Sequence, residues 1–327
     1  MKKAWQLELE TMQAARPVVL SEEEQGWSVC ERYDRMECHL NEMKWNSNVP
    51  GSGAEEHVIV AAMQDMENMG YDVSAAEALI EEGMEALERG DQARLALLTG
   101  RVFHLLSVAP RAEGHPYYRY PVYDSFEAIE RAASLPVYPY DAESEDFLRR
   151  THLGWQAQIC AGALGTAIEG YTTENITSVF GQIYGYPRTP NTMNDDITYE
   201  LAFLEAAKEK GGGLTAADVA EQWLALIPFG WSAEEVALKN LRLGIYPPES
   251  GYRNNPYREW IGAQMRGAVC GMVAPGNARE AARLAFLDGS VSHHNNGILG
   301  EIFNAVLVSL SLSLIHISEP TRLRCIS

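Results

Sequence analysis

The stretch Asn194-Asp195-Asp196-Ile197-Thr198-Tyr199 places two adjacent carboxylates where an irregular segment gives way to a helical pattern. Residues 184–190, just before it, contain a glycine and two prolines, which a regular helix does not accommodate. Ile197, Leu201 and Leu204 then have the spacing of one helical face. The sequence therefore predicts that the two aspartates lie at the N-terminus of a helix.

Two interpretations of Asp195 and Asp196 stay open. Acidic side chains are favoured at helix N-termini because free N–H groups and the helix dipole stabilise negative charge, so capping explains one of them. Adjacent aspartates repel each other unless solvent or a divalent cation compensates, and magnesium prefers oxygen ligands of this kind. The pair is therefore a candidate half of a metal site, with ordinary capping as the alternative.

Composition and charge narrow the class of protein. A chain of 327 residues that is 46% hydrophobic can build one large domain or two ordinary ones. Its net charge of −19 argues against non-specific binding to nucleic acid or to an anionic membrane. The five cysteines have neither disulfide nor zinc spacing, and no apolar run has the length expected of a signal sequence or membrane span. We therefore expect a soluble, cytoplasmic protein.

Helical patterns dominate the chain before its tail. Capping boxes, in which Ser or Thr is followed three residues later by an acidic residue, predict helix starts at Ser74, Thr215 and Ser232. Helices predicted from periodicity alone cover residues 55–69, 93–107 and 147–168. Because few strand patterns accompany them, the predicted fold class is all-α.

A proline-containing break at residues 136–145 separates two helical series. We place a domain boundary there, with a helical N-terminal region of unknown role at residues 1–145. A second helical domain is predicted at residues 146–310.

The loop at residues 110–123 is rich in tyrosine. Tyr117, Tyr118, Tyr120 and Tyr123 either line a pocket or pack one domain against another. Packing is the interpretation that we favour from the sequence, because an aromatic belt serves that role more often.

Residues 160–170, Cys-Ala-Gly-Ala-Leu-Gly-Thr-Ala-Ile-Glu-Gly, resemble the opening motif of the ADP-ribosylglycohydrolase family. That motif is Gly-Asp-Ala-Leu-Gly followed by three residues and Glu. Residues 163–165 and Glu169 match it in identity and spacing, while Ala161 and Gly162 replace its first Gly and Asp. In the absence of the family resemblance, small residues at helical spacing indicate tight helix packing.

The segment that begins with Asn194 is similar to the Thr-Asp-Asp-Thr motif that binds magnesium in the same family. Asp195 and Asp196 match both aspartates. Asn194 replaces the first Thr and offers an amide oxygen, whereas Ile197 has no ligand atom and Thr198 is one position out of register.

Two later segments extend the resemblance, which covers about residues 154–308. Residues 260–267, with 274–276, look like the family's central segment, which lines the ligand cleft, and residues 288–297 are similar to its Asp-Ala…Ser/Thr-His segment. The His293-His294 pair alone does not indicate a metal site, because neighbouring side chains on a helix face different directions. The resemblance implies substrate contacts from Gly165, Gln264, Arg266, Asp288, His293 and Gly297.

Family resemblance implies an all-α fold that hydrolyses ADP-ribose from a modified protein or from an ADP-ribose-containing small molecule, with two magnesium ions. Asp195 and Asp196 are the implied metal ligands, with Asn194 as a third candidate, and Glu169 is the implied catalytic residue. Metal ions hold the ribose hydroxyls and orient water, while a carboxylate assists as the anomeric carbon becomes cationic. Neither nucleic acid nor membrane is an expected partner.

The tail departs from the helical pattern. Residues 308–318 alternate apolar and polar side chains as a strand does. Residues 312–322 resemble a translated sequencing-library adapter, so we expect residues 311–327 to be non-native. The family completes its second metal half-site with an Asp-x-Asp-Thr/Ser motif near its C-terminal end, and this sequence contains none. We therefore expect a truncated chain with weak magnesium binding and impaired activity.

Two departures from the family motifs, Gly162 and Ile197, keep other functions open. One alternative is a non-catalytic relative that binds ADP-ribose or a protein partner. Another is an acidic helical interaction protein whose similarity to the motifs is accidental. Whether this chain is an active enzyme is left open by the sequence.

Overall fold

The protein is described by a computed structural model that covers residues 2–26, 28–190 and 195–313. Nearly all of its regular structure is helical, which confirms the all-α prediction. The longer helices are α1 (Ala4–Ala14), α2 (Ser28–Trp45), α3 (Val58–Asn68), α4 (Ser74–Glu77), α5 (Ile80–Glu88), α6 (Gln92–Ser107), α7 (Phe126–Ala132), α8 (Glu145–Gly165), α9 (Thr173–Phe180), α10 (Asp195–Lys210), α11 (Ala216–Leu226), α12 (Ser232–Arg242), α13 (Glu249–Tyr252), α14 (Gly262–Met265), α15 (Ala268–Met272), α16 (Ala278–Gly289) and α17 (Asn296–Ser313). Short 3₁₀ helices cover Glu23–Gln25, Pro116–Arg119 and Gly211–Gly213.

A small antiparallel hairpin interrupts the helices near the start of the chain. It consists of β1 (Ser47–Asn48) and β2 (Glu55–Glu56), with Ser47 opposite Glu56 and Asn48 opposite Glu55. The predicted start of the helix over residues 55–69 is therefore too early, because Glu55 and Glu56 are in a strand and α3 starts at Val58. Gly51 and Gly53 have positive φ angles of 96° and 80° in the connecting turn, which bring the strands together.

The chain divides into two compact units, Met1–Asn41 and Glu42–Ser327. In the first unit, α1 has no buried residues, and its Lys2 pairs with Glu10 at 2.6 Å. The second unit contains the candidate site. The domain boundary predicted at residue 145 remains a prediction, although residues 42–145 belong to the same compact unit as the helices that follow.

Two apolar cores hold the second unit together. One lies among α10, α11, α12, α16 and α17, with Trp223 and Phe203 among its fully buried side chains. The other lies among α3, α5 and α6 around Trp45, whose indole donates a 2.8 Å hydrogen bond to Thr99. Gly83 of α5 faces the Trp45 ring so closely that a Cβ there would overlap the ring.

The second core is not confined to the N-terminal half. It also includes Ala233 of α12 and Tyr257, and the Tyr257 hydroxyl donates to the Val58 carbonyl at 3.2 Å. Residues from both sides of the predicted boundary thus share one core.

One of the three predicted capping boxes forms as expected. Thr215 and Asp218 exchange side-chain to backbone hydrogen bonds at the start of α11. Ser74 instead bonds to Asp72 through its backbone N–H and hydroxyl, and Val73 precedes the one-turn α4. Ser232 is inside α12 with a φ of 44°, and Trp231 occupies the cap position. Helices thus begin at Ser74 and Ser232 as predicted, but neither residue forms the predicted capping box.

The last described helix is longer than its sequence pattern indicates. Residues 308–313, which alternate as a strand does, continue α17 to Ser313. Ser309 is buried and donates to the Ala274 carbonyl at 2.5 Å, whereas Ser311 and Ser313 donate to carbonyls of α17 itself. By length and composition α17 also qualifies as a membrane span, which the sequence analysis did not expect, but it packs against α14, α15 and α16 as a core helix.

Candidate active site

Asp195 and Asp196 form the first turn of α10, as predicted, while Asn194 lies outside the described residues. Asp195 is exposed and Asp196 is partly buried. Of the three apolar residues whose spacing predicted the helix, Ile197 and Leu204 are partly buried and Leu201 is exposed, whereas the buried positions are Tyr199, Glu200, Ala202, Phe203 and Ala206. Tyr199 packs on Trp223 with ring centroids 4.4 Å apart, which turns this face of α10 toward α11.

Glu169 follows the C-terminal end of α8, where its N–H bonds to the Gly165 carbonyl at 3.0 Å. Burial raises the pKa of the Glu169 carboxyl, and the negative charges of Asp195 and Glu56 raise it further. The fold therefore brings together Glu169 and Asp195, which the sequence analysis assigned to one site. It also adds a carboxylate, Glu56, that the sequence analysis missed.

Glu56 is held in place by two hydrogen-bond donors from other segments. The indole N–H of Trp231 is 3.2 Å from both Glu56 carboxylate oxygens, and the Ser47 hydroxyl donates to Oε2 at 3.2 Å. No sequence signal pointed to Glu56, because its neighbours along the chain belong to none of the recognised motifs.

The β1–β2 hairpin packs onto the turn that carries Glu169. The Tyr171 hydroxyl donates to the Ser52 carbonyl at 3.3 Å, and a Cβ at Gly170 would lie 2.7 Å from that of Ala54. A Cβ at Gly51 would overlap the Thr166 side chain. The hairpin therefore fixes the end of α8 on the side where Glu56 lies.

A buried ionic cluster surrounds Arg266, whose side chain is 1% exposed. Its Nε donates to Asp288 at 2.5 Å, its Nη1 to Glu234 at 3.0 Å and its Nη2 to the Ser292 hydroxyl at 2.9 Å. The guanidinium also lies over the Trp223 ring at 4.9 Å. Every nitrogen of this guanidinium therefore has a partner.

Acidic groups outnumber the arginine in this cluster. Burial raises the pKa of Glu234 to about 7 and that of Glu200 to about 8, and it places the pKa of Glu301 well above its usual value. Within the described part of the chain, one oxygen each of Glu200, Asp288 and Glu301 has no hydrogen-bond partner. Because one arginine cannot neutralise four carboxylates, the folded state favours protonation of some of them.

The ionic cluster is electrostatically linked to the first turn of α10. The charge of Asp195 raises the pKa of Glu234, and the charge of Asp196 raises that of Glu200, in both cases after the larger effect of burial. Negative charge therefore extends from the surface aspartates into the interior.

The residues to which the resemblance gave substrate contacts fall in different environments. Arg266, Asp288 and His293 are buried together, Gln264 is exposed, Gly165 is on α8 beside Glu169, and Gly297 is buried against the Arg258 carbonyl. Whether any of these residues contacts a substrate stays a prediction.

His293 and His294 point to different surroundings, as expected for neighbours. His293 is 1% exposed, its Nδ1 is 2.7 Å from the Ser292 hydroxyl, and burial lowers its pKa well below the usual value. His294 contacts Asp124 at 3.6 Å and the Tyr252 ring instead. The first histidine is therefore a neutral interior group.

The candidate metal ligands were tested against the local geometry. Over residues 2–26, 28–190 and 195–313, no group of three or more His, Cys, Asp or Glu side chains is arranged to hold a metal ion. Asp195 and Asp196, adjacent at the start of α10, and Glu169, whose pKa the Asp195 charge raises, all carry carboxylates, the ligand type that a hard divalent cation prefers. The raised pKa of Glu169 beside Asp195 is an electrostatic cost that such a cation relieves.

Comparisons with known proteins identify the family. A family model described as ADP-ribosylglycohydrolase matches residues 143–322, which is more than half of the chain and includes Glu169, Asp195, Asp196 and the whole Arg266 cluster. The matched range also includes residues 311–322, so the expected non-native origin of the tail stays a prediction. Searches of the curated proteins and of the solved structures returned no match. The activity that the match indicates is hydrolysis of ADP-ribose linkages in general, and the chain belongs to the ADP-ribosylglycohydrolase family.

Proposed function

We propose that this protein hydrolyses ADP-ribose from a modified protein or from an ADP-ribose-containing small molecule in a magnesium-dependent reaction. The observation that carries the proposal is the proximity of Glu169 to Asp195: burial raises the pKa of Glu169, and the Asp195 charge raises it further. The two residues belong to separate motifs 26 positions apart, and family membership gives that pairing a chemical role.

Asp195 and Asp196 are the residues that would hold the cation, with Asn194 as a further candidate ligand. A bound magnesium ion supplies positive charge that orients ribose hydroxyls and water. The position of the aspartates at the start of α10 leaves one of them exposed to an approaching ligand.

Glu169 acts on the attacking water. A carboxyl whose pKa is raised by burial and by neighbouring acids is a stronger base when ionised than an ordinary glutamate. It also places negative charge close to an anomeric carbon that becomes cationic in the transition state.

Gly162 and Ile197 limit the proposed activity. The family motif has Asp at the first position and a hydroxyl-bearing Thr at the second, so this chain offers fewer polar groups to cation and substrate. We therefore propose weak magnesium binding and slow turnover compared with a chain that has both motifs intact.

The test measures release of ADP-ribose from an ADP-ribosylated protein with and without magnesium. Glu169→Gln should lower turnover about 10²- to 10⁴-fold, the usual range for loss of an acid–base group. Asp195→Asn combined with Asp196→Asn should abolish the response to magnesium. Glu174→Gln is the matched control, because Glu174 is an acidic residue in the first turn of the neighbouring helix α9.

The outcomes separate the proposed enzyme from its alternative. Magnesium-dependent turnover that survives all three substitutions would place the reaction elsewhere. If the wild-type protein shows no turnover but ADP-ribose raises its melting temperature, the protein is a binding module. If neither effect is seen, the proposal is wrong.

A further inference from the structure

Arg258 is a second buried arginine, and it lies apart from the acidic cluster. The residue is 7% exposed. Its guanidinium lies over the ring of Tyr252 at 5.0 Å and over that of Tyr71 at 5.8 Å. The two aromatic rings restrict the position of the guanidinium, because its positive charge is attracted to the faces of the rings.

The hydrogen bonds of Arg258 are incomplete. Its Nη1 donates to the Asn255 carbonyl at 3.0 Å and to the sulfur of Met66 at 3.5 Å. Among the residues that the structure describes, neither Nε nor Nη2 has a hydrogen-bond partner, and no carboxylate lies within 4.0 Å of the guanidinium.

The nearest acidic groups are engaged elsewhere. Glu259 accepts hydrogen bonds from the Tyr117 hydroxyl and from the amides of Asn295 and Asn296. Burial raises the pKa of Asp65 to about 7, although the charge of Arg258 lowers it, so that Asp65 is only partly ionised near neutrality. Neither group supplies a direct counter-ion to Arg258.

The unpaired edge of Arg258 is open to solvent or to a ligand, because neither Nε nor Nη2 is among the described, fully buried side-chain atoms that lack a hydrogen-bond partner. Charged groups on a largely buried side chain are normally paired and hydrogen-bonded, so this edge is a candidate contact for an anion. The free edge of the Arg258 guanidinium carries two parallel donors, the geometry that a carboxylate or phosphate accepts in a bidentate fashion.

Space for such an anion exists beside Arg258. One cavity of about 420 Å³ and another of about 550 Å³ share Tyr71, Tyr252 and Arg258 in their walls. In the second cavity, Arg111 lies over the ring of Tyr118 at 5.2 Å. We call this feature, defined by Tyr71, Arg111, Tyr118, Tyr252 and Arg258, the tyrosine–arginine groove.

The groove has the size of a small-molecule site, for which volumes of about 300–1,000 Å³ are typical. Its tyrosine rings favour a planar ligand, and its arginines favour an anion. Glu113 and Asp124 also line the wider cavity and oppose a ligand with several negative charges. None of the lining residues belongs to the candidate active site.

We propose that the tyrosine–arginine groove is a binding site for a small planar molecule with one oxyanion group, a phosphate monoester or a carboxylate on an aromatic ring. The oxyanion occupies the free edge of Arg258, and the ring packs against Tyr71 or Tyr252. The Tyr-rich loop thereby contributes to a pocket, the interpretation that the sequence disfavoured: Tyr117, Tyr118 and Tyr120 all line the wider cavity.

The test is isothermal calorimetry of the full chain with phenyl phosphate, benzoate and neutral benzyl alcohol as probes. We expect one of the two anions to bind and the neutral probe not to bind, and the stronger anion identifies the oxyanion source. Arg258→Gln should weaken binding of that anion about 10-fold or more, as expected for loss of a charge-assisted hydrogen-bonded pair.

A matched control comes from the same cavity. Arg253 lines it too, but is exposed and paired with Glu249 at 2.8 Å, so Arg253→Gln should change the affinity less than about 2-fold. Arg258→Lys keeps the positive charge but loses the two parallel N–H donors of the guanidinium, and should give an intermediate affinity. If Arg258→Gln does not fold, Arg258→Lys alone carries the comparison.

Three results would overturn the proposal: no binding of either anion to the wild type, equal binding of the neutral probe, or affinity unchanged in the foldable Arg258 variants. The measurement involves no turnover and no magnesium. It therefore stands whether or not the proposed hydrolysis is observed.

Discussion

Arg266 and Arg258 are almost equally buried, yet their surroundings differ. The guanidinium of Arg266 is paired with Asp288 and Glu234 and bonded to Ser292, so each of its nitrogens has a partner. Arg258 has one carbonyl, one sulfur atom and two aromatic faces. The comparison separates a buried charge that the fold uses internally from one whose hydrogen bonds the fold leaves incomplete.

The two arginines also differ in the sign of the charge that is left unbalanced around them. Around Arg266 there is an excess of carboxylates, and the interior compensates by holding protons on Glu200 and Glu301. Around Arg258 a cation lacks a direct counter-ion, and the tyrosine–arginine groove lies beside it. Protons can satisfy the first imbalance, whereas the open edge of Arg258 is accessible to water or to an external anion.

The largest predicted effect comes from removing each arginine in turn. Arg266→Gln leaves Asp288 and Glu234 without their cation, and breaking a buried pair in this way costs about 3–5 kcal/mol of unfolding free energy. Arg258→Gln loses contacts with two tyrosine rings but no ion pair, and should cost less than about 2 kcal/mol. Urea denaturation of both variants measures the two losses of unfolding free energy, and equal losses would contradict the difference between the two arginines.

The second prediction concerns the pH dependence of the carboxylate-rich region. The pKa of Glu200 is raised from 4.5 to about 8, so the folded state favours its protonated form. The stability from that proton is fully present below about pH 4.5 and is lost as the pH rises to about 8. Each unit of the shift corresponds to about 1.4 kcal/mol.

Glu200→Gln should therefore reduce the loss of stability between about pH 5 and about pH 8. Chemical denaturation across that range is the measurement. Glu205→Gln is the control, because Glu205 is exposed on the same helix and forms a 3.6 Å surface pair with Lys208. A slope equally reduced by the control substitution would contradict the assignment to Glu200.

The smallest predicted effect is on the aromatic support of Arg258. Tyr252→Leu removes a half-exposed ring 5.0 Å from the guanidinium and should lower the unfolding free energy by about 0.5–1 kcal/mol. Addition of the anion that binds the groove should make the variant respond less than the wild type in a thermal-shift assay. An unchanged response would show that Tyr252 is not part of the ligand's contact surface.

Sequence reasoning succeeded where local patterns or motifs carry the information. Helical periodicity predicted the fold class, and the Thr215–Asp218 capping box was predicted correctly. Motif resemblance assigned Glu169 and Asp195 to one site, an assignment that stays a prediction although the Asp195 charge raises the pKa of Glu169. Each of these features depends on residues close together in the chain or on spacing that a family motif records.

It failed where distant segments decide the outcome. Glu56 is in the site because Trp231, 175 positions away, donates to it. Ser232 does not cap its helix because the chain enters α12 with a positive φ at that residue. The spacing of Ile197, Leu201 and Leu204 predicted α10 but not which of its residues are buried, because Tyr199 packs on Trp223, a contact that periodicity cannot foresee.

The second apolar core limits how the chain can be cut. A fragment that begins at residue 143 contains the family match but lacks Trp45, α3 and α6. Tyr257 then loses the Val58 carbonyl that its hydroxyl contacts, and Trp231 loses Glu56. Such a fragment exposes a concave apolar surface to water and becomes prone to aggregation. A protease cut in the 136–145 segment consequently produces a nicked but associated protein rather than two separable domains.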